Sequence, residues 1–105
     1  MLNNVVLIGR MTAQPEFRIT PTGTPIGTFT LAVNRHTKDK EADFINCVSF
    51  SKTAEMVSTW GNKGRLVVIQ GRIQTRNYET KDGQKRKAVE VVVNSVQFLD
   101  KPKEE

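Results

Sequence analysis

The run Leu66-Val67-Val68-Ile69-Gln70-Gly71-Arg72-Ile73-Gln74-Thr75-Arg76-Asn77-Tyr78 constrains the chain more than any other stretch, because it has the pattern of one long β-strand with two chemistries along its length. Before Gly71 it is almost continuously apolar, as in a strand covered on both faces. After Gly71 the alternation is strict. Successive side chains of a strand point to opposite faces, so Arg72, Gln74, Arg76 and Tyr78 share one face while Ile73 and Thr75 take the other. Two guanidinium groups and a phenol ring on one surface suit a nucleic acid: the cations meet phosphates, and the ring stacks on a base of any identity. A solvated outer face with one isolated tyrosine has the same pattern, so other segments have to decide between the two.

The chain has 105 residues, enough for a single domain with a modest core, and 16 Lys and Arg against 11 Asp and Glu give a net charge of +5. Net charge alone does not separate a polyanionic partner from good solubility, but the cations here fall on strands and hairpin tips instead of one solvated block. With Cys47 the only cysteine and His36 the only histidine, neither an intrachain disulfide nor a Cys/His zinc cluster can be built, which fits a reducing cytosol. No apolar run approaches the ~18 residues of a membrane span, and the N-terminus lacks a charged region followed by a signal-like apolar core. The expectation is a soluble cytoplasmic protein with no membrane partner, no metal site and no cofactor.

In chain order, residues 4–11 form a β-branched strand ending in Gly9-Arg10-Met11, and Pro15, Pro21, Gly23, Pro25 and Gly27 mark a connection with at most a short extended piece around Phe17 and Ile19. Residues 28–35 alternate, with Phe29, Leu31 and Val33 inward, and lead through a polar tip into a third strand over residues 43–50. The parity of that strand is open. Phe44, Asn46, Val48 and Phe50 share one face and Ile45, Cys47 and Ser49 the other; taken alone, the usual burial of phenylalanine favours the core for Phe44 and Phe50. Ser51 is the expected N-cap of a helix over residues 52–60, with Glu55 near the positive end of its dipole and Met56, Val57 and Trp60 forming a stripe that makes Trp60 a core anchor. After the long strand, Asp82-Gly83 signals a hairpin flanked by Lys81, Lys85, Arg86 and Lys87, and residues 88–99 return as the last strand. Three strands, a helix and two strands predict an all-β fold: a five-stranded Greek-key OB-fold barrel with one short α-helix between strands 3 and 4. It is expected to span residues 1–100, followed by a short polar tail over 101–105.

In that order, the opening Met1-Leu2-Asn3-Asn4-Val5-Val6-Leu7-Ile8-Gly9-Arg10, then Thr28-Phe29-Thr30-Leu31-Ala32-Val33-Asn34-Arg35, Ala42-Asp43-Phe44-Ile45-Asn46-Cys47, Lys63-Gly64, the segment from Gly71 to Tyr78 and Glu79, and Glu90-Val91-Val92-Val93 closely resemble bacterial-type single-stranded DNA-binding proteins. The resemblance covers residues 1 to about 99. It implies a homotetramer that coats single-stranded DNA during replication, recombination and repair, associated with the nucleoid. It also implies base stacking on Phe44, Phe50 and Tyr78, reversing the core assignment of the two phenylalanines. Arg35, Arg72 and Arg76 would meet phosphates, and Arg10, Lys85, Arg86 and Lys87 complete the set of expected DNA-binding residues. Where the family often has an aromatic after the second strand, this chain has Arg35-His36-Thr37-Lys38, and the tip before Phe44 is short, which predicts a smaller footprint. The family's long tail with an acidic, hydrophobic tip has no counterpart in Lys101-Pro102-Lys103-Glu104-Glu105; the expectation is a short form, either a tail-less relative or a chain cut short, and tail-mediated recruitment of enzymes is not expected from these residues.

Two other classes share this architecture. A small nuclease needs clustered carboxylates for metal ions or a positioned acid/base pair, and the only close acidic cluster, Asp39, Glu41 and Asp43, alternates with Lys38 and Lys40 as charge balance. The sequence also has no nucleotide-binding Gly-Lys-Ser/Thr loop, and no catalytic residue is assigned. An RNA-binding or assembly module would use the same stacking and phosphate contacts, and competition between DNA and RNA oligomers of equal length separates it.

Overall fold

The computed structural model describes residues 1–39 and 41–100; the polar tail expected over 101–105 lies outside them. Six strands and one helix follow in the order β1 (Val5–Met11), β2 (Glu16–Ile19), β3 (Pro25–Asn34), β4 (Ala42–Phe50), α1 (Ser51–Trp60), β5 (Leu66–Glu79) and β6 (Lys85–Phe98). The extended piece around Phe17 and Ile19 is thus a true strand, paired to the outer edge of β3 from Glu16 opposite Thr28 to Ile19 opposite Pro25. The other five strands close on themselves in the order β1, β5, β6, β4, β3 and back to β1, the ring expected of the OB-fold. The helix follows the third strand of that ring.

Closure depends on β1 changing partners. It runs antiparallel to β5 from Val5 opposite Gly71 to Arg10 opposite Leu66, while its last residues, Arg10 and Met11, pair with Ala32 and Leu31 of β3. Gly9 sits at the changeover, where a Cβ would collide with the Ala32 carbonyl. Gly71 is equally confined against the Val92 carbonyl, next to the register shift at which β6 carries an extra residue relative to β5. β4 and β6 meet in the one parallel pairing, Cys47 with Val91 and Val48 with Val92.

The ring encloses Met11, Phe29, Leu31, Cys47, Val67, Ile69, Val91 and Val93, and α1 adds Val57. The clean alternation of β3 is realised, with Phe29 and Leu31 buried. On β4 the inward set is Ile45, Cys47 and Ser49, so the core placement that residue preferences favour for Phe44 and Phe50 is overturned: both are exposed. Ser49 is fully buried, and its hydroxyl donates to the Gly27 carbonyl at 2.8 Å. The first half of β5 is covered less than its apolar run suggests, with Val67 and Ile69 buried but Leu66, Val68 and Gln70 only half-buried.

The helix differs from expectation in three respects. It begins at Ser51, with Phe50 in the N-cap position and no side-chain cap, because Ser51 itself takes φ +56 to turn the chain out of β4. Glu55 accordingly falls beyond the first turn. The face turned inward carries Ala54 and Val57, while Met56 and Trp60 lie outside, Trp60 with 55% of its surface exposed. Trp60 is therefore no core anchor; the small Ala54 and Gly61, both buried, bring the helix close to the ring, and the bulky stripe is left on its flank. No helix among the described residues is long and apolar enough to cross a membrane.

One ionic latch ties the helix end to the strands. Arg65, only 6% exposed, donates Nε to Asp100 Oδ1 (2.9 Å), Nη2 to the Asp100 carbonyl (3.0 Å) and Nη1 to the Trp60 carbonyl (2.7 Å), and lies 4.3 Å from the Phe98 ring centroid. The Leu66 N–H donates to Asp100 Oδ2 at 3.1 Å, and this bond, together with Arg65 and the nearby Arg10, holds the Asp100 carboxyl below the usual carboxylate range. A carboxyl lowered by folding stabilises the native state above its ordinary value of about 4, and that stabilisation is lost as acid protonates it. Thermal melting should thus fall with pH below about 4. Asp100→Asn should melt lower at neutral pH, since it leaves Arg65 buried without its counter-charge, and should show a shallower acid decline, the remainder coming from Asp43; equal neutral melting temperatures would contradict the latch.

Candidate nucleic-acid interface

β5 and β6 are each 14 residues long against seven for β1, so the pair continues past the ring as a two-stranded hairpin. Directly opposed residues share a face, and the register puts Arg72 opposite Val92, Gln74 opposite Glu90, Arg76 opposite Ala88 and Tyr78 opposite Arg86. The face expected from the alternation is therefore real, and Arg86 joins it. Lys85 and Lys87 pair with Glu79 and Asn77 and belong to the opposite face, with Ile73, Thr75 and Val89. The tip is a Thr80–Gln84 turn in which the Thr80 N–H donates to the Gln84 carbonyl (2.8 Å) and Gly83 supplies φ +83, as the Asp-Gly signal predicts.

Tyr78 is 44% exposed, with the Arg76 guanidinium 5.7 Å from its ring centroid. Arg76 Nε lies 3.5 Å from Glu90 Oε1, which also accepts from Gln74 Nε2 at 3.1 Å, and Gln74 Oε1 accepts a 3.4 Å bond from Arg72 Nη1. At the base of the hairpin a groove of about 370 Å³ opens against the β1–β2 connection. Thr12, Gln14, Glu16, Arg76 and Glu90 line it together with Thr28, Thr30 and Asn46, with Thr30 Oγ1 donating to Asn46 Oδ1 at 3.2 Å. Cys47 lies beneath, its thiol pushed up to about 12 by burial. On the outer face of β4, Phe44 (68% exposed) and Phe50 (39%) flank Asn46 on either side. A second, apolar hollow beside Phe44 is lined by Val5, Leu7, Ile73, Val89 and Val91.

The structure does not bring all the expected residues together. Arg35 donates Nε and Nη2 to Asp43 Oδ1 (3.0 and 2.7 Å) and Nη1 to Glu41 Oε2 (3.0 Å), so two carboxylates already match its charge. The hydrogen bonds and charge pairing between Arg35 and Asp43 raise the Arg35 pKa and lower that of Asp43. Two members of the acidic cluster in the β3–β4 tip are thus engaged with arginine. Among the described residues no group of three or more His, Cys, Asp and Glu side chains is arranged to hold a metal ion. Arg10 sits opposite Leu66, the far end of β5 from Tyr78, and donates to the Gly64 carbonyl at 2.9 Å; at about 3.3 Å per residue the two ends are roughly 40 Å apart. Residues that sequence reasoning passed over are Gln14, Thr28, Thr30, Asn46 and Glu90. Glu90 had a readable signal, a single carboxylate inside the apolar run Ala88-Val89-Glu90-Val91-Val92.

The closed ring, the helix after its third strand and a groove between the first connection and the last hairpin define an OB-fold binding protein. A model of the single-strand binding protein family matches residues 2–99. The sequence is 55% identical over 105 residues to single-stranded DNA-binding protein 1 of Streptococcus pyogenes, covering 96% of this chain and 81% of that protein. It is 56% identical over 104 residues to single-stranded DNA-binding protein 2 of Staphylococcus aureus, covering 95% and 74%. The chain belongs to the single-strand binding protein family.

Proposed function

We infer that this chain binds and protects single-stranded DNA, without catalysing a reaction on it, during replication, recombination and repair. The observation that carries this is the conjunction of family membership with three exposed rings, Phe44, Phe50 and Tyr78, the last under the Arg76 guanidinium, and a groove that Asn46 and Arg76 help to line. Every base has a π-face, so stacking on these rings tolerates any sequence, and unpaired bases are the ones free to stack. Arg72, Arg76 and Arg86 supply phosphate contacts on the Tyr78 face, with Lys85 and Lys87 behind them. Arg35 contributes only where a phosphate displaces its carboxylates, and Arg10 serves a strand that wraps beyond the hairpin. We place residues 1–100 in one DNA-binding domain working in the cytoplasm on the nucleoid. No enzyme-recruiting role is assigned to residues 101–105, which offer two lysines, two glutamates and a proline but no apolar anchor.

A labelled oligonucleotide should bind well as a single strand and poorly as a duplex, and log affinity should fall with log salt at a slope of about −0.7 per phosphate neutralised. Equal affinity for the two forms would overturn the stacking reading. Base–aromatic stacking contributes ~1 to 3 kcal/mol per base, so Tyr78→Ala or Phe44→Ala should weaken binding roughly 5- to 150-fold with an unchanged circular dichroism spectrum. Unaltered affinity in both variants would remove these rings from the site.

We further propose a homotetramer. Beyond Arg10 and Met11, no described pairing uses the edge of β1 turned away from β5, leaving a template for a second strand. Val5 and Leu7 pack on the core, whereas Val6 and Ile8 are the exposed apolar residues of β1 and support a face between subunits. Light scattering at micromolar protein should give the mass of four chains, and Val6→Glu with Ile8→Glu should lower it; a monomer mass for the unaltered protein would rule the assembly out.

A further inference from the structure

We propose that Glu90 is a positioning residue for the Tyr78 stacking platform, acting through Arg76; the inference rests on the single-stranded DNA reading given above. A carboxylate is out of place on a surface that is to receive phosphates, because it repels them and offsets a neighbouring cation. Glu90 nevertheless occupies the centre of the cationic face. It stands directly across from Gln74, and its side chain is only 14% exposed while that of Arg76 is 57% exposed. Its Oε1 accepts from Gln74 Nε2 and faces Arg76 Nε, so Arg72, Gln74, Glu90, Arg76 and Tyr78 form one connected row.

The consequence lies in which atoms of Arg76 are engaged. Glu90 faces the Nε edge of the guanidinium, and no described hydrogen bond takes its two Nη groups. The planar fork is therefore held over the Tyr78 ring with its outer edge available for a phosphate oxygen. The ring face away from Arg76 is left for a base. Glu90 thus fixes a two-part receptor in which one nucleotide's base meets Tyr78 while a phosphate meets Arg76, at the expense of one negative charge in the groove. Without that charge, Arg76 has a long flexible stem and nothing to hold it against the ring.

The test is a double-mutant cycle of Glu90→Gln and Tyr78→Ala, read as the affinity for a single-stranded thymidine oligonucleotide at low and high salt, with melting curves to establish folding. Glu90→Gln keeps hydrogen bonding to Gln74 and removes the charge. We expect it to weaken binding at least about 3-fold at high salt in the Tyr78 background and to have no such effect in the Tyr78→Ala background, a non-additivity typical of coupled neighbours. The chain has one tyrosine, so fluorotyrosine labelling gives one fluorine NMR signal; in the free protein it should move on Glu90→Gln and move in the same sense on Arg76→Lys. Arg76→Lys alone, which keeps the charge but loses the planar fork, should reproduce the high-salt loss and decides the matter if Glu90→Gln does not fold. Equal effects of Glu90→Gln in both backgrounds, or tighter binding confined to low salt with an unmoved fluorine signal, would make Glu90 a mere counter-charge and overturn the proposal. Failure of the unaltered protein to bind the oligonucleotide would instead overturn the functional reading itself.

Discussion

The structure depends on the length of β1. A ring of strands is only as tall as its shortest member, and β1 pairs with β5 no further than Gly71. Up to that point the inward positions of β5, Val67 and Ile69, are fully buried; beyond it Ile73 and Thr75 continue the same parity with no β1 pairing partner and are exposed. The hairpin that carries Arg72, Arg76 and Tyr78 is the excess length of two 14-residue strands over a seven-residue partner. The open edge of β1 has the same origin, since the strand reaches β3 only through its last two residues. The protruding hairpin and the open edge are two results of one mismatch.

Energetics separate the residues that build the ring from those left on it. Burying a Phe-sized side chain contributes about 1.5 to 3 kcal/mol, and the fold forgoes much of this at Phe44, which stays 68% exposed while the smaller Ile45 and Cys47 fill the interior. The two arginine clusters differ in the same way. Arg65 is enclosed, with each of its three side-chain nitrogens donating to Asp100 or the Trp60 carbonyl, and serves the fold. Arg35 makes a comparable set of bonds at the surface, where solvent screens them and the contribution to stability is small.

Much of this was legible in the residues and some was not, for physical reasons. The alternation after Gly71 placed Arg72, Arg76 and Tyr78 on one face correctly because a protruding hairpin obeys strand periodicity without interference from tertiary cover. The parity of β4 was not decidable from residue type: Phe44 and Phe50 are apolar, Cys47 and Ser49 are small, and only the resemblance to a known family favoured the outward assignment that the exposures bear out. Trp60 was misplaced because a helical stripe says which residues share a face and not whether that face or its neighbour meets the sheet; Ala54, overlooked as too small, decides it by letting α1 approach Gly27. Pairings between distant residues, Arg35 with Asp43 and Arg65 with Asp100, leave no periodic trace at all.

The protruding hairpin also carries a consequence for how one site accepts many sequences. A two-stranded ribbon without a hydrophobic face packed behind it is marginal on its own, and the segment beyond Gly71 has the ladder with β6, the Thr80 turn and the Gln74–Glu90 row to hold it. Phe44 and Phe50, by contrast, stand on β4 within the closed ring, paired with β3 along the length of the strand. The rings therefore lie on two supports of unequal stiffness. In the proposed DNA-binding role, the rings on β4 would keep their spacing, while Tyr78 would shift with the hairpin to meet a base. The proposed sequence tolerance would then draw on the compliance of one support as well as on the indifference of a π-face to which base it meets, with the cations of the same hairpin travelling with Tyr78.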